Sequence, residues 1–261
     1  MTNIQFIPNA IDAGGCVSNA WNLVKQNYGM YLGIALIAMI LSGCIPCISL
    51  FLGGPVLAGV YYVILREMRG EPVEFGMMFK GFEKFLPLMV IGIIQSIPEI
   101  IAQILRITVD VGRLGLTRGG RNDDFQFFQS SDPQFAIATG LLIIIAVVAL
   151  VVILLSIVWR VLLFFAIPLA MEHELGAIEA MKLSAKAATS NIGGLVVLFI
   201  FEFLIVLVGV LALCIGVFFV IPIIYAANAF AYRQVFPWIE QNFNMSAPPP
   251  GAYGSNFGQG M

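Results

Sequence analysis

The chain has 261 residues, of which 60% are hydrophobic and only 11% charged, and its formal net charge is -2. So little charge excludes a water-soluble globular domain of this length, and the scattered basic residues leave no positive footprint for nucleic acid. What remains is a chain built for lipid, with the bilayer as its main partner.

The first 27 residues lack the succession of basic start, apolar run and small-residue cleavage site that marks a removable signal peptide, so none is expected. Residues 1–27 read as a cytoplasmic amphipathic segment, with Ser18–Gln26 lying at the membrane interface. From Gln26 to Leu65 there is no Asp, Glu, Lys, Arg or His. Lipid offers the backbone no water, so each crossing must be a helix or part of a closed barrel, and unalternating apolar runs select the helix. One crossing takes about 20 residues, which makes this run too long for a single span. Ser42-Gly43-Cys44-Ile45-Pro46-Cys47 supplies a breaker at its middle, so two helices are predicted.

A second interfacial stretch, Phe79–Phe85, precedes the third span, Phe85–Arg106, which contains Pro87 and Pro98. In that span Gln95, Glu99, Gln103 and Arg106, followed by Asp110, recur every three or four residues and therefore share one helix face. A polar outer loop, 110–133, follows, and its Phe125, Phe127 and Phe128 suit an interface or a partner. Between Asp132 and Glu172 the only charge is Arg160. That stretch is long enough for one span or two. No glycine or proline falls between Gly140 and Pro168, so a single tilted helix is the better reading. A third interfacial stretch, Ala177–Ala188, sets Ile178, Met181, Ala185 and Ala188 on one face and Glu179, Lys182 and Lys186 on another. Ile192–Tyr232 reads as a last hairpin turning near Gly209 and Cys214-Ile215-Gly216. The proline- and glycine-rich tail, 237–261, reads as disordered. The expected fold is all-α: one membrane domain, 28–236, of six transmembrane helices in three hairpins.

With the N-terminus inside, nine basic residues fall on the cytoplasmic side: Lys25, Arg66, Arg69, Lys80, Lys84, Arg160, Lys182, Lys186 and Arg233. Arg106, Arg113, Arg118 and Arg121 fall outside, so both termini are expected in the cytoplasm. A repeat underlies the hydropathy. Cys47 to Arg66 laid on Cys214 to Arg233 keeps Cys, Ile, Phe, Pro and Arg in register, with Pro55 on Pro222, and Phe164-Phe165-Ala166-Ile167-Pro168 echoes Phe218-Phe219-Val220-Ile221-Pro222.

Three further runs carry a resemblance: Gly53-Gly54-Pro55-Val56-Leu57-Ala58-Gly59, Arg66-Glu67-Met68-Arg69-Gly70-Glu71 with Phe79-Lys80-Gly81-Phe82, and Gly176-Ala177-Ile178-Glu179-Ala180-Met181-Lys182-Leu183-Ser184. Over roughly Ala20 to Phe236 the chain resembles a widespread group of uncharacterised bacterial six-helix membrane proteins. It is similar as well to the membrane domain attached to some glycerophosphodiester phosphodiesterases. The resemblance implies a fold and an inner-membrane location, and no reaction. The phosphodiesterase catalytic domain, with its metal-holding acids and histidines, has no counterpart in this sequence.

Charge inside the membrane is the best pointer to mechanism. Glu99, Arg160 and Glu202 each sit within an apolar run, where an isolated charge costs about 2.5 to 3.5 kcal/mol. One reading is a proton or ion pathway lined by Gln95, Glu99, Gln103 and Glu202. The other is a clasp, in which Glu99 or Glu202 pairs with Arg106 or Arg160 to fix helix packing. Cys44 and Cys47, with Cys214 at the other turn, are possible outer-face thiols, read first as small apolar residues of tight turns. The single histidine, His173, flanked by Glu172 and Glu174, is too few ligands for a metal site and reads as interfacial. No phosphate-binding loop, dinucleotide fingerprint or nucleophile elbow is present, so no catalytic residue, metal or cofactor is assigned. The expected function is a non-enzymatic scaffold or regulatory partner of another membrane component, with a small transporter as the alternative.

Overall fold

A computed structural model describes residues 4–43, 46–118, 133–212 and 216–238. Its helices are α1 (Ala13–Val24), α2 (Tyr28–Gly43), α3 (Pro46–Met68), a 3-10 helix (Phe75–Lys84), α4 (Phe85–Arg118), α5 (Pro133–Leu162), α6 (Ala166–His173), α7 (Ala177–Thr189), α8 (Ile192–Leu211) and α9 (Gly216–Val235). The described residues contain no strand. Six segments are long and apolar enough to cross a bilayer, so the chain is an all-helical, multi-pass membrane protein. The third span continues as helix to Arg118, past Arg106. Most of the expected outer loop, 119–132, and the tail beyond Trp238 lie outside the described residues.

The N-terminal segment is less separate than its composition implies. α1 leads through one 3-10 turn, Lys25–Asn27, into α2, so the first span covers Ala13–Leu41. Its buried face is Ala13, Cys16, Ala20 and Val24, and the helix runs antiparallel along α9. Asp12 N–H donates to Gln234 Oε1 at one end (2.8 Å), and the Tyr28 hydroxyl donates to the Phe219 carbonyl at the other (2.6 Å). The residues before α1 form a strap. Ile7 N–H donates to the Val235 carbonyl (2.9 Å) and Ala10 N–H to Asn191 Oδ1 (2.8 Å). Asn191 is buried and returns its amide N–H groups to the carbonyls of Ile7 and Ala187. Replacing it with alanine strands those groups, and the Asn191→Ala protein is expected to lose about 3 kcal/mol, read as a lower unfolding midpoint in detergent.

Glycines decide where helices meet most closely. The 3-10 helix crosses α3 with backbone against backbone: a Cβ on Gly81 would fall on the Pro55 carbonyl oxygen and 2.7 Å from Gly59 N, and one on Gly59 would fall on the Met78 carbonyl. α4 crosses α3 in the same way, since a Cβ on Gly92 would lie 2.8 Å from Gly54 N. Small residues allow this approach where lipid supplies no hydrophobic drive between helices. Each of the three stretches read as interfacial packs on the second arm of a hairpin: the 3-10 helix on α3, α7 on α6 and α5, and α1 on α9.

The stretch between Asp132 and Glu172 holds one segment long and apolar enough to cross, Ile144–His173, but is not one helix. It breaks at Leu163–Phe165, just ahead of Pro168, which has no N–H and whose ring crowds the carbonyl four residues back. The groups freed by the break are met from elsewhere. The buried Ser184 hydroxyl of α7 accepts from Phe165 N–H (3.0 Å) and donates to the Leu162 carbonyl (2.8 Å), while Gln95 Nε2 donates to the Leu163 carbonyl (2.8 Å). Ser184→Ala is expected to cost about 2 kcal/mol by the same melting readout. The buried face of α7 is therefore Ala180, Ser184, Ala187 and Ala188; of the residues expected on its apolar face Ala188 is buried, while Ile178 points outward at 63% exposure. Hydropathy marks the lipid-facing side of such a helix; the small residues mark the packed side.

Candidate functional site

The second arms of all three hairpins end at one place. Glu172, in the last turn of α6, takes Arg69 Nη2 (2.6 Å) and Arg233 Nη2 (2.7 Å) on Oε1, and the Tyr232 hydroxyl (2.6 Å) on Oε2. Trp238 Nε1 donates to the same Oε1 at 3.2 Å. Both guanidinium groups lie against the indole of Trp238, Arg233 at 4.1 Å and Arg69 at 5.4 Å from the ring centroid. Glu172 and Arg233 are nearly covered, with side chains 10% and 12% exposed. The start of α4 is tied to the same end, since Lys84 Nζ donates to the Met171 carbonyl (2.9 Å) and pairs with Glu174 (3.1 Å). This node joins α3, α4, α6, α9 and the first tail residues. A planar guanidinium and an indole give it direction as well as charge.

The polar residues of the third span are used differently along its length. Gln95 caps the α5–α6 break, and one turn away Trp159 Nε1 donates to the Ile94 carbonyl (2.8 Å). Glu99 and Arg160 form an ion pair at 2.8 Å between α4 and α5. Gln103 and Arg106 are exposed and are not brought to Glu202. Glu202 lies on α8 beside Asn228 of α9, with Tyr61 of α3 and Arg160 within electrostatic reach. Its Oε1 and Asn228 Oδ1 are buried and accept no hydrogen bond. The set thus falls into an α4–α5 seam and a Glu202–Asn228 contact, with Arg160 of the seam within electrostatic reach of Glu202.

Cys44 and Cys214 lie outside the described residues, as does the side chain of Cys47. The fourth cysteine, Cys16, is a buried free thiol whose sulfur donates to Gln234 Oε1 at 3.3 Å. His173 is part-buried, its Nε2 3.9 Å from Glu172 Oε2. Among the described residues no group of three His, Cys, Asp or Glu could hold a metal. Sequence reasoning passed over Glu172, Trp238, Ser184, Asn191 and Asn228. The available signal was the clustering of Arg69, Glu172 and Arg233 just at helix C-termini. No family model, curated protein or solved structure matches the chain.

Proposed function

We propose that the protein is a non-enzymatic component of the bacterial inner membrane, with both termini in the cytoplasm, serving as an envelope scaffold or as the regulatory partner of another membrane protein. The observation that carries this reading is the use made of the third-span stripe: Gln95 bonds the α5–α6 break and Glu99 bonds α5, instead of both facing a common passage with Glu202. Polar contacts spent in this way fix helix packing. The gathering of Arg69, Lys84 and Arg233 at one end of the bundle supports a cytoplasmic location for that end. The family resemblance and the three-hairpin repeat belong to the same reading. The repeat draws support from the common docking of each interfacial stretch on a second arm, and from Pro55 and Pro222 standing equally far from the ends of α3 and α9. Pro168 does not share that register, because α6 ends at His173.

Glu99→Gln should lower stability by about 0.6 kcal/mol, the usual worth of one polar contact between membrane helices. Liposomes containing the wild type should show no proton or small-solute flux above empty vesicles. Flux that disappears in Glu99→Gln would replace the scaffold with a transporter. One observation favours that second reading: the two donorless buried oxygens of Glu202 and Asn228, which a proton or cation could bridge. Flux lost in Glu202→Gln but kept in Glu99→Gln would place the pathway there.

A further inference from the structure

The Glu99–Arg160 pair is the most exposed ion pair among the described residues, with side chains 66% and 75% open. It stands in apolar surroundings. On α4 its neighbours Ile97, Ile100 and Ile101 are exposed, and on α5 so are Ile153, Leu154, Ile157 and Val158. Glu99 lies fifteen residues beyond Lys84, which is bonded at the charged end of the bundle. At about 1.5 Å per helical residue that is roughly 22 Å from the charged end, and the pair is about 10 Å short of Arg106 at the other boundary, so it lies inside the hydrocarbon layer. Two charges displayed there, on a surface otherwise of isoleucine, leucine and valine, point to a covering protein surface. The described chain has covered neither.

We propose that the α4–α5 face binds a second copy of this chain, with Glu99 of each copy meeting Arg160 of the other across a two-fold axis. The charge pattern selects this occupant. An isologous contact places the same patch on both sides, and a patch holding one carboxylate and one guanidinium side by side is complementary to itself when turned by 180°. The aliphatic residues around the pair supply packing and no conflicting charge. The proposal goes beyond the scaffold reading and does not rest on it, since it concerns which surface is covered and by what.

The test uses full-length protein in nanodiscs or liposomes, with two differently labelled populations and energy transfer as the measure of association. Wild-type mixtures should show transfer. Glu99→Arg gives a patch with two guanidiniums and Arg160→Glu a patch with two carboxylates, so each alone should associate about tenfold more weakly. Mixed together, the two variants should regain transfer near the wild-type level, a rescue that an ion pair confined to one chain cannot produce. Ile153→Trp, two turns from Arg160 at a position 55% exposed, should weaken association without altering the melting curve. It keeps the test decisive if a charge variant folds poorly. Absence of transfer in the wild type, or transfer unaffected by Ile153→Trp, would overturn the proposal. So would failure of the mixed charge variants to recover when both melt normally. None of these outcomes moves the flux measurement that tests the scaffold.

Discussion

Replacing Glu172 with glutamine is expected to lower the unfolding free energy of the purified protein by about 3 to 5 kcal/mol, the cost of leaving a covered cation without its partner. The reason lies in how many groups depend on one carboxylate. Arg233 is 12% exposed, and its Nε is buried with no acceptor, so Glu172 is its principal counter-charge. Arg69, at 42% exposure, can turn to water, so Arg69→Met should cost at most about 1 kcal/mol. The double variant Glu172→Gln/Arg233→Gln should recover part of the loss by removing the stranded cation along with its partner. Thermal melts of the four proteins in one detergent check all three statements. A Glu172→Gln protein as stable as wild type would mean that the node is a surface ornament.

Gly81→Ala is expected to cost about 3 kcal/mol or more, at or above the upper range for overpacking, because the new methyl meets backbone and no flexible side chain. Its Cβ would fall on the Pro55 carbonyl oxygen, and Gly59→Ala meets the Met78 carbonyl on the opposing segment. The 3-10 helix would have to lift off α3, opening the contact with Met78, which is fully buried. Gly53→Ala is the matched control. It sits one residue from Gly54 in α3, nothing lies within 4 Å of its added Cβ, and the change should be neutral or stabilise by up to about 1 kcal/mol. Similar melting losses for Gly53→Ala and Gly81→Ala would show that helix propensity, and not close approach, sets the effect.

The six spans were legible because a bilayer demands long apolar runs, and the runs are unbroken between charges. What escaped was decided by partners distant in sequence. The α5–α6 break depends on Ser184 and Gln95, neither of which is near Leu163 along the chain. The packed side of α7 consists of alanines and a serine, of which only Ala188 lies on the apolar face that the sequence pattern marks, while Ile178 on that face is exposed. Glu172 stood out only as a neighbour of His173, since its arginines come from α9 and the end of α3. The Glu99–Arg160 contact was one of the four pairings that the clasp reading left open, because helix periodicity fixed which residues share a face; which helix they meet was not written in that period.

The N-terminal strap has a bearing on how the protein is made. Ile7 and Ala10 are synthesised long before their partners Val235 and Asn191. At synthesis rates of about 5 to 20 residues per second, Ile7 waits roughly 10 to 45 s for Val235 to be polymerised. Through that interval α1 has no α9 to lie along, and its face of Cys16, Ala20 and Val24 stays open to other company. A nascent chain halted before α9 would present that face permanently, giving chaperones and proteases a means to tell an unfinished copy from a complete one.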